Sequence, residues 1–117
     1  MAFGQEVAVT PLQVLNAYAA GANDGVMMMP RLVKAVADPR TGDVIESEPV
    51  VVRRVVSAET ARTLREFCLQ VVENGTAQAA KVGFMQVAGK TGTAQKAGRR
   101  GYLANRYISS FVGFAPY

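Results

Sequence analysis

Apolar residues recur at helical spacing in two stretches of the chain. Leu12, Leu15, Tyr18, Ala19 and Ala22 fall on one face of a helix that Thr10 can cap and that Pro11 can open, because a missing N–H is harmless in the first turn. Gly21 to Gly25 ends that pattern. The second stretch places Leu64, Phe67, Cys68, Val71 and Val72 in one stripe, starting after Ser57 as N-cap and ending at Asn74-Gly75. Both stripes predict helices with one buried face.

The intervening and C-terminal segments read as strands. Pro30 to Val36 is apolar, and Asp38-Pro39-Arg40-Thr41-Gly42-Asp43 concentrates turn formers before Val44 and Ile45, so two short strands joined by a turn are expected. Val50 to Val56 adds an extended segment. Gln86 to Lys96 and Tyr107 to Ala115 predict a long antiparallel hairpin around a basic loop at residues 97–106. The fold class is therefore α+β, an antiparallel sheet flanked by helices.

Composition supports packed structure: 117 residues suit one small domain, half of them are hydrophobic and 19% are charged. Thirteen Lys and Arg against nine Asp and Glu give a net charge of +4, which suits an anionic partner without identifying one. Arg53, Arg54, Lys96, Arg99, Arg100 and Arg106 carry much of the excess and read as solvated surface; without a recognition helix or a stacking platform, nucleic acid is not an expected partner. The absence of histidine and the single Cys68 leave no expected metal site, cofactor or disulfide, and they assign acid and base work to Lys, Tyr or a carboxylate. Cys68 lies in an apolar stripe and is expected to be an inert thiol. No apolar run reaches membrane-spanning length, and no export signal is legible.

Gly89-Lys90-Thr91-Gly92-Thr93 concentrates a cation, two hydroxyls and two glycines in one predicted strand. Alternation puts Thr91 and Thr93 on one face, and Gly92 leaves the main chain between them accessible. Such a group can hold a carboxylate and a developing oxyanion. A phosphate-binding loop is the competing reading of Gly-Lys-Thr, but it requires glycine where the chain has Phe84.

The runs Gly4 to Gln13, Glu73-Asn74-Gly75-Thr76-Ala77, Gly89 to Lys96 and Ser109 to Pro116, together with the helix through Tyr18 and Ala19, resemble in order the class B penicillin-binding proteins. The resemblance implies a partial penicillin-binding protein/β-lactamase-like fold, with residues 1–117 forming the C-terminal portion of a transpeptidase domain, truncated at both ends. It implies a serine D,D-transpeptidase on the extracytoplasmic face of the cell membrane that cross-links peptidoglycan and is acylated by β-lactams. Carried onto this chain, Lys90 and Thr93 become catalytic residues, and Thr91, Gly92 and Thr93 hold the D-Ala-D-Ala terminus or a β-lactam. The Thr93 N–H becomes half of the oxyanion hole. The chain departs from the family in lacking Ser-x-x-Lys: three residues after Ser47, Ser57, Ser109 and Ser110 stand Val50, Thr60, Val112 and Gly113. It also lacks Ser-x-Asn. By itself it is expected to be inactive, to need the N-terminal part of the domain as partner, and to self-associate through open sheet edges. The alternative is a non-catalytic module that binds peptide ends or a partner.

Overall fold

The computed structural model describes residues 7–99 and 101–117, so Gly4, Gln5 and Glu6 of the first matching run and Arg100 of the basic group lie outside the described residues. Helix α1 spans Pro11–Ala22. Its start is fixed by a reciprocal pair: the Gln13 N–H donates to Thr10 Oγ1 at 3.3 Å, and the Thr10 N–H donates to Gln13 Oε1 at 2.8 Å. Caps of this kind stabilise a helix by about 1 kcal/mol. The chain then turns through Gly25 at φ +81°, where a Cβ would sit 2.2 Å from the Val56 carbonyl oxygen; only glycine fits.

Strand β1, Val26–Met28, pairs antiparallel with β4, Val51–Arg54, while β2, Ala35–Ala37, pairs with β3, Val44–Glu46. The β2–β3 turn is held by Asp38, whose carboxylate accepts the Arg40 N–H at 2.8 Å, and by Gly42 at φ +80°. The expected turn is present, but β2 begins at Ala35, well inside the apolar run from Pro30. Pro30 interrupts the ladder that β1 enters, which displaces the strand toward the turn.

Ser57 caps α2, Ala58–Glu73, by accepting the Thr60 N–H at 3.1 Å. A short 3₁₀ turn, Gln78–Ala80, leads to β5, Ala88–Gly98, and β6, Gly101–Phe114, which form the longest antiparallel pair. The expected loop at 97–106 shrinks to a tight turn, because residues 97, 98 and 101–106 continue the two strands. The ladder shifts between Gln95 and Ala97, where one β5 residue faces four of β6 and Asn105 takes φ +57°. Such a bulge lets the strands pass their polar stretch without ending.

Both helices pack against this ribbon, α2 on β5 and α1 on β6 and α2. Arg65 ties them, donating to the Gly21 carbonyl at 3.0 Å and to Asp24 at 2.9 Å. The contact surfaces are small side chains: Ala20, Ala61, Val72, Ala77 and Ala88 are the buried apolar residues. Leu12 and Leu15 of the first stripe and Leu64 and Phe67 of the second, expected on buried faces, are exposed instead. Periodicity marks an apolar face, and here nothing among the described residues covers that part of it. The chain exposes 9194 Å², against about 6,200 Å² for a compact monomer of its mass. Among the described residues, the antiparallel pairs stand as three separate two-stranded ribbons.

Candidate functional site

Lys90 to Thr93 lie near the start of β5, where a buried pair of residues anchors the strand. Ala88 is fully buried and Gly89 is packed so closely that a Cβ there would meet the Phe111 ring at 2.5 Å and the Val112 carbonyl at 2.7 Å. Gly113, the partner of Gly89, is equally tight against Phe111 and the Ala88 carbonyl. One aromatic ring thus lies over a cross-strand glycine pair and clamps this end of the ribbon. The next residues are open: Lys90 and Thr93 are exposed, and Thr91 and Gly92 are half-buried.

Alternate residues of an antiparallel strand turn their N–H and C=O toward the partner, and the intervening ones turn theirs away. The Gly92 carbonyl receives Ser110 Oγ of β6 at 3.5 Å, so it looks toward the partner strand. The Thr91 carbonyl instead receives Lys90 Nζ at 2.7 Å, which places it on the other side. By the same parity, the Thr93 N–H points away from β6. Among the described residues no strand pairs with that edge of β5. A ligand running alongside β5 therefore meets a free amide, two hydroxyls of one strand face and an ammonium.

Thr91 Oγ1 lies 2.8 Å from Thr76 Oγ1 and 3.5 Å from Lys90 Nζ. Thr76 follows α2, and its position is set by Gly75, whose missing Cβ would stand 2.9 Å from the Val71 backbone. Sequence reasoning reads Asn74-Gly75 as a helix end and Glu73 to Ala77 as a run that carries the resemblance, but gives Thr76 no role; Asn74 is indeed the C-cap, and the contact of Thr76 with Thr91 spans fifteen residues and leaves no local signal. Ser110 is likewise invisible in the sequence as the neighbour of Gly92, where a Cβ would stand 2.7 Å from its hydroxyl. Gly92 thus has a packing reason in addition to the accessibility expected of it.

On the helix side, a cavity of about 250 Å³ is lined by Tyr18, Leu64, Arg65, Cys68 and Phe114 among others. Burial pushes the Cys68 thiol above its ordinary value of 9.0, and the Lys90 charge draws it partly back. Burial, followed by the Cys68 charge, raises the Tyr18 phenol. Neither group is primed as a nucleophile or base at neutral pH. Among the described residues no group of three or more His, Cys, Asp or Glu gathers as metal ligands, and no helix is long and apolar enough to cross a membrane.

Residues 1–117 match the family model described as the penicillin binding protein transpeptidase domain. Stage V sporulation protein D of Bacillus subtilis is 42% identical over 116 residues, covering 98% of this chain and 18% of that protein. Penicillin-binding protein PbpB of Mycobacterium tuberculosis is 40% identical over 121 residues, covering 96% of this chain and 18% of that protein. Among solved structures, penicillin binding protein 3 from M. tuberculosis complexed with ampicillin superposes with a TM-score of 0.82 at 40% identity, over 96% of this chain and 26% of that one. The D,D-transpeptidase domain of a peptidoglycan glycosyltransferase from Eggerthella lenta gives 0.79 at 40% identity, over 92% and 24%. The chain thus spans 18% of the length of these two curated relatives.

Proposed function

The chain belongs to the penicillin binding protein transpeptidase family, and on that premise we propose that it supplies the substrate-holding edge of a peptidoglycan D,D-transpeptidase acylated by β-lactams. The nucleophile is supplied from outside these residues, since no serine here is followed by the required lysine. The reaction runs on the extracytoplasmic side of the membrane, where its cell-wall substrate lies.

In this reading the Thr91 and Thr93 hydroxyls hold the terminal carboxylate of a D-Ala-D-Ala stem peptide, or the equivalent carboxylate of a β-lactam. Charge-assisted hydrogen bonds of this type are about twice as strong as neutral ones. Lys90 adds positive charge beside them. When a serine oxygen attacks the penultimate carbonyl, negative charge develops on the carbonyl oxygen, and the Thr93 N–H meets it as one of the oxyanion donors. The serine's proton passes to the leaving nitrogen as the tetrahedral centre collapses, which expels D-alanine or opens the lactam ring and leaves the acyl group on the serine. Gly92 keeps the strand slim where the acyl chain lies.

The single observation that supports this most strongly is the edge of β5 that no strand among the described residues pairs with, on which a backbone amide, two threonines and the lysine beside Thr91 come together. The test is labelling by fluorescent penicillin in the natural protein that carries this chain. Thr91→Val and Thr93→Val are each expected to slow acylation roughly 10- to 150-fold, as the loss of a hydrogen bond to a charged group does. Wild-type rates in both variants overturn the reading.

A further inference from the structure

Strands β2 and β3 form a ribbon whose residues are all exposed, Val36 at 61% and Ile45 at 75%. Its hydrogen bonds fix which main-chain groups face outward. The Asp38 N–H donates to the Asp43 carbonyl and the Ser47 N–H to the Lys34 carbonyl, each at 2.8 Å, so residues 34, 36 and 38 turn their main chain toward β3. The N–H and C=O of Ala35 and Ala37 therefore point to the outer edge of β2, with which no strand among the described residues pairs. A bare edge of this kind is a template for another strand.

Charge decides which strand fits. Lys34 and Asp38 flank Val36 on its own face, and among the described residues neither forms an ion pair. When β2 meets a second β2 antiparallel about a two-fold axis at Val36, Ala35 lies opposite Ala37 of the second copy, and each such pair exchanges two main-chain bonds. Lys34 then faces Asp38 of the second copy, twice, at the ladder positions where side chains approach most closely. Other registers do worse. Centred on Lys34, lysine meets lysine; centred on Ala35, neither charge meets another; centred on Ala37, Lys34 meets Arg40 and Pro39, which has no N–H, takes an outward position. The outer edge of β3, centred on Ile45, offers Asp43 only Ser47.

We infer that β2 is a self-pairing edge, joining two copies of the protein through one four-stranded antiparallel sheet. Val36 pairs with Ile45 within each ribbon. The joined sheet thus lines up Ile45, Val36, Val36 and Ile45 across one face, an apolar row with a Lys34–Asp38 pair on either side of its centre. Thr91 and Thr93 lie on a different ribbon, so the inference does not rest on the function proposed for them.

The test uses the natural protein that carries this chain. Sedimentation is expected to show a dimer that dissociates on dilution, with Lys34→Gln and Asp38→Asn each weakening it about fivefold at low salt. Asparagine keeps an oxygen for the Arg40 N–H, so the turn is retained. The double variant is expected to weaken the dimer no more than either single one, because the pairs are already lost. Ala37→Pro removes an outward N–H without taking a β2–β3 bond and is expected to abolish pairing. Cross-linking reads the register: under mild oxidation Val36→Cys is expected to give a disulfide-linked dimer, whereas Ile45→Cys, about 14 Å from its counterpart across three strand spacings, is not. Melting curves near wild type establish that each variant is folded. A natural protein that stays monomeric, its β2 edge covered by another part of its own chain, overturns the inference. So does a dimer that Ala37→Pro leaves intact, or equal cross-linking at positions 36 and 45.

Discussion

Thr76 and Thr91 face each other with their hydroxyl oxygens 2.8 Å apart, and Lys90 Nζ stands 3.5 Å from the Thr91 oxygen. A hydroxyl has one proton and two lone pairs. Lys90 can only donate, and when Thr76 donates as well, the Thr91 proton is free for an arriving carboxylate. The turn after α2 thereby orients a residue of β5, which makes Thr76 a positioning residue.

Thr76→Val is therefore expected to weaken carboxylate binding about fivefold, the worth of one hydrogen bond near 1 kcal/mol. Thr76→Ser, which keeps the hydroxyl, should restore it. Affinities measured for a β-lactam before acylation, in all three proteins, check this; a Val variant that matches the Ser variant would remove Thr76 from the site.

Gly89 and Gly113 lie beneath the Phe111 ring, so an added methyl at either must displace the ring or a carbonyl. Gly89→Ala is expected to destabilise the fold by roughly 1–3 kcal/mol, read as a lower midpoint in urea. Gly42→Ala, with nothing within 4 Å but a φ of +80°, should cost less, about 1 kcal/mol. A Gly89→Ala midpoint equal to wild type contradicts the packing described.

Cys68 has a raised thiol pKa, chiefly from burial, with the Lys90 charge opposing the rise. A thiol whose folded value lies above its ordinary 9.0 contributes stability that is present below pH 9 and lost as pH rises through the folded value. Alkylation of Cys68 should accordingly follow a pH profile centred above 9.0, and Lys90→Met should move it higher still. A profile centred at or below 9.0 contradicts the burial.

Leu64, Phe67 and Ile45 are exposed, and no strand among the described residues pairs with the outer edge of β5. For these 117 residues alone, self-association at micromolar concentration is expected, together with no covalent labelling by fluorescent penicillin. Sedimentation and labelling check the two separately. A clean monomer contradicts the first, and a labelled band contradicts the second.

What the sequence made legible was local. Thr10 and Ser57 cap helices through bonds that span three residues, and the Asp38 to Asp43 turn closes on its own side chains, so the residues that fix these features also stand next to them in the chain. Strand β1 escaped because its three residues acquire meaning only from β4, more than twenty positions away. Residues 97–106 read as a basic loop, yet the strands run through 97, 98 and 101–106, their ladder bonds outweighing local preference. In the site, the motif around Lys90 announces itself by composition. Thr76 and Ser110 lie in runs that carry the resemblance, but they reach the site through tertiary contact, and nothing local shows which β5 residue each one meets.

The central claim is that the Thr93 N–H lies on the free edge of β5 and holds the developing oxyanion. Thr93→Pro removes that N–H without taking a bond from the β5–β6 ladder, a position where an edge strand tolerates proline, whereas Gly92→Pro removes a ladder donor. In the natural protein, Thr93→Pro is expected to keep a melting temperature near wild type while its acylation by penicillin slows about 100- to 1,000-fold beyond that of Thr93→Val, which lacks the hydroxyl but keeps the N–H, and Gly92→Pro is expected to lose stability. Acylation of a folded Thr93→Pro protein within a few-fold of the Thr93→Val rate would contradict the claim.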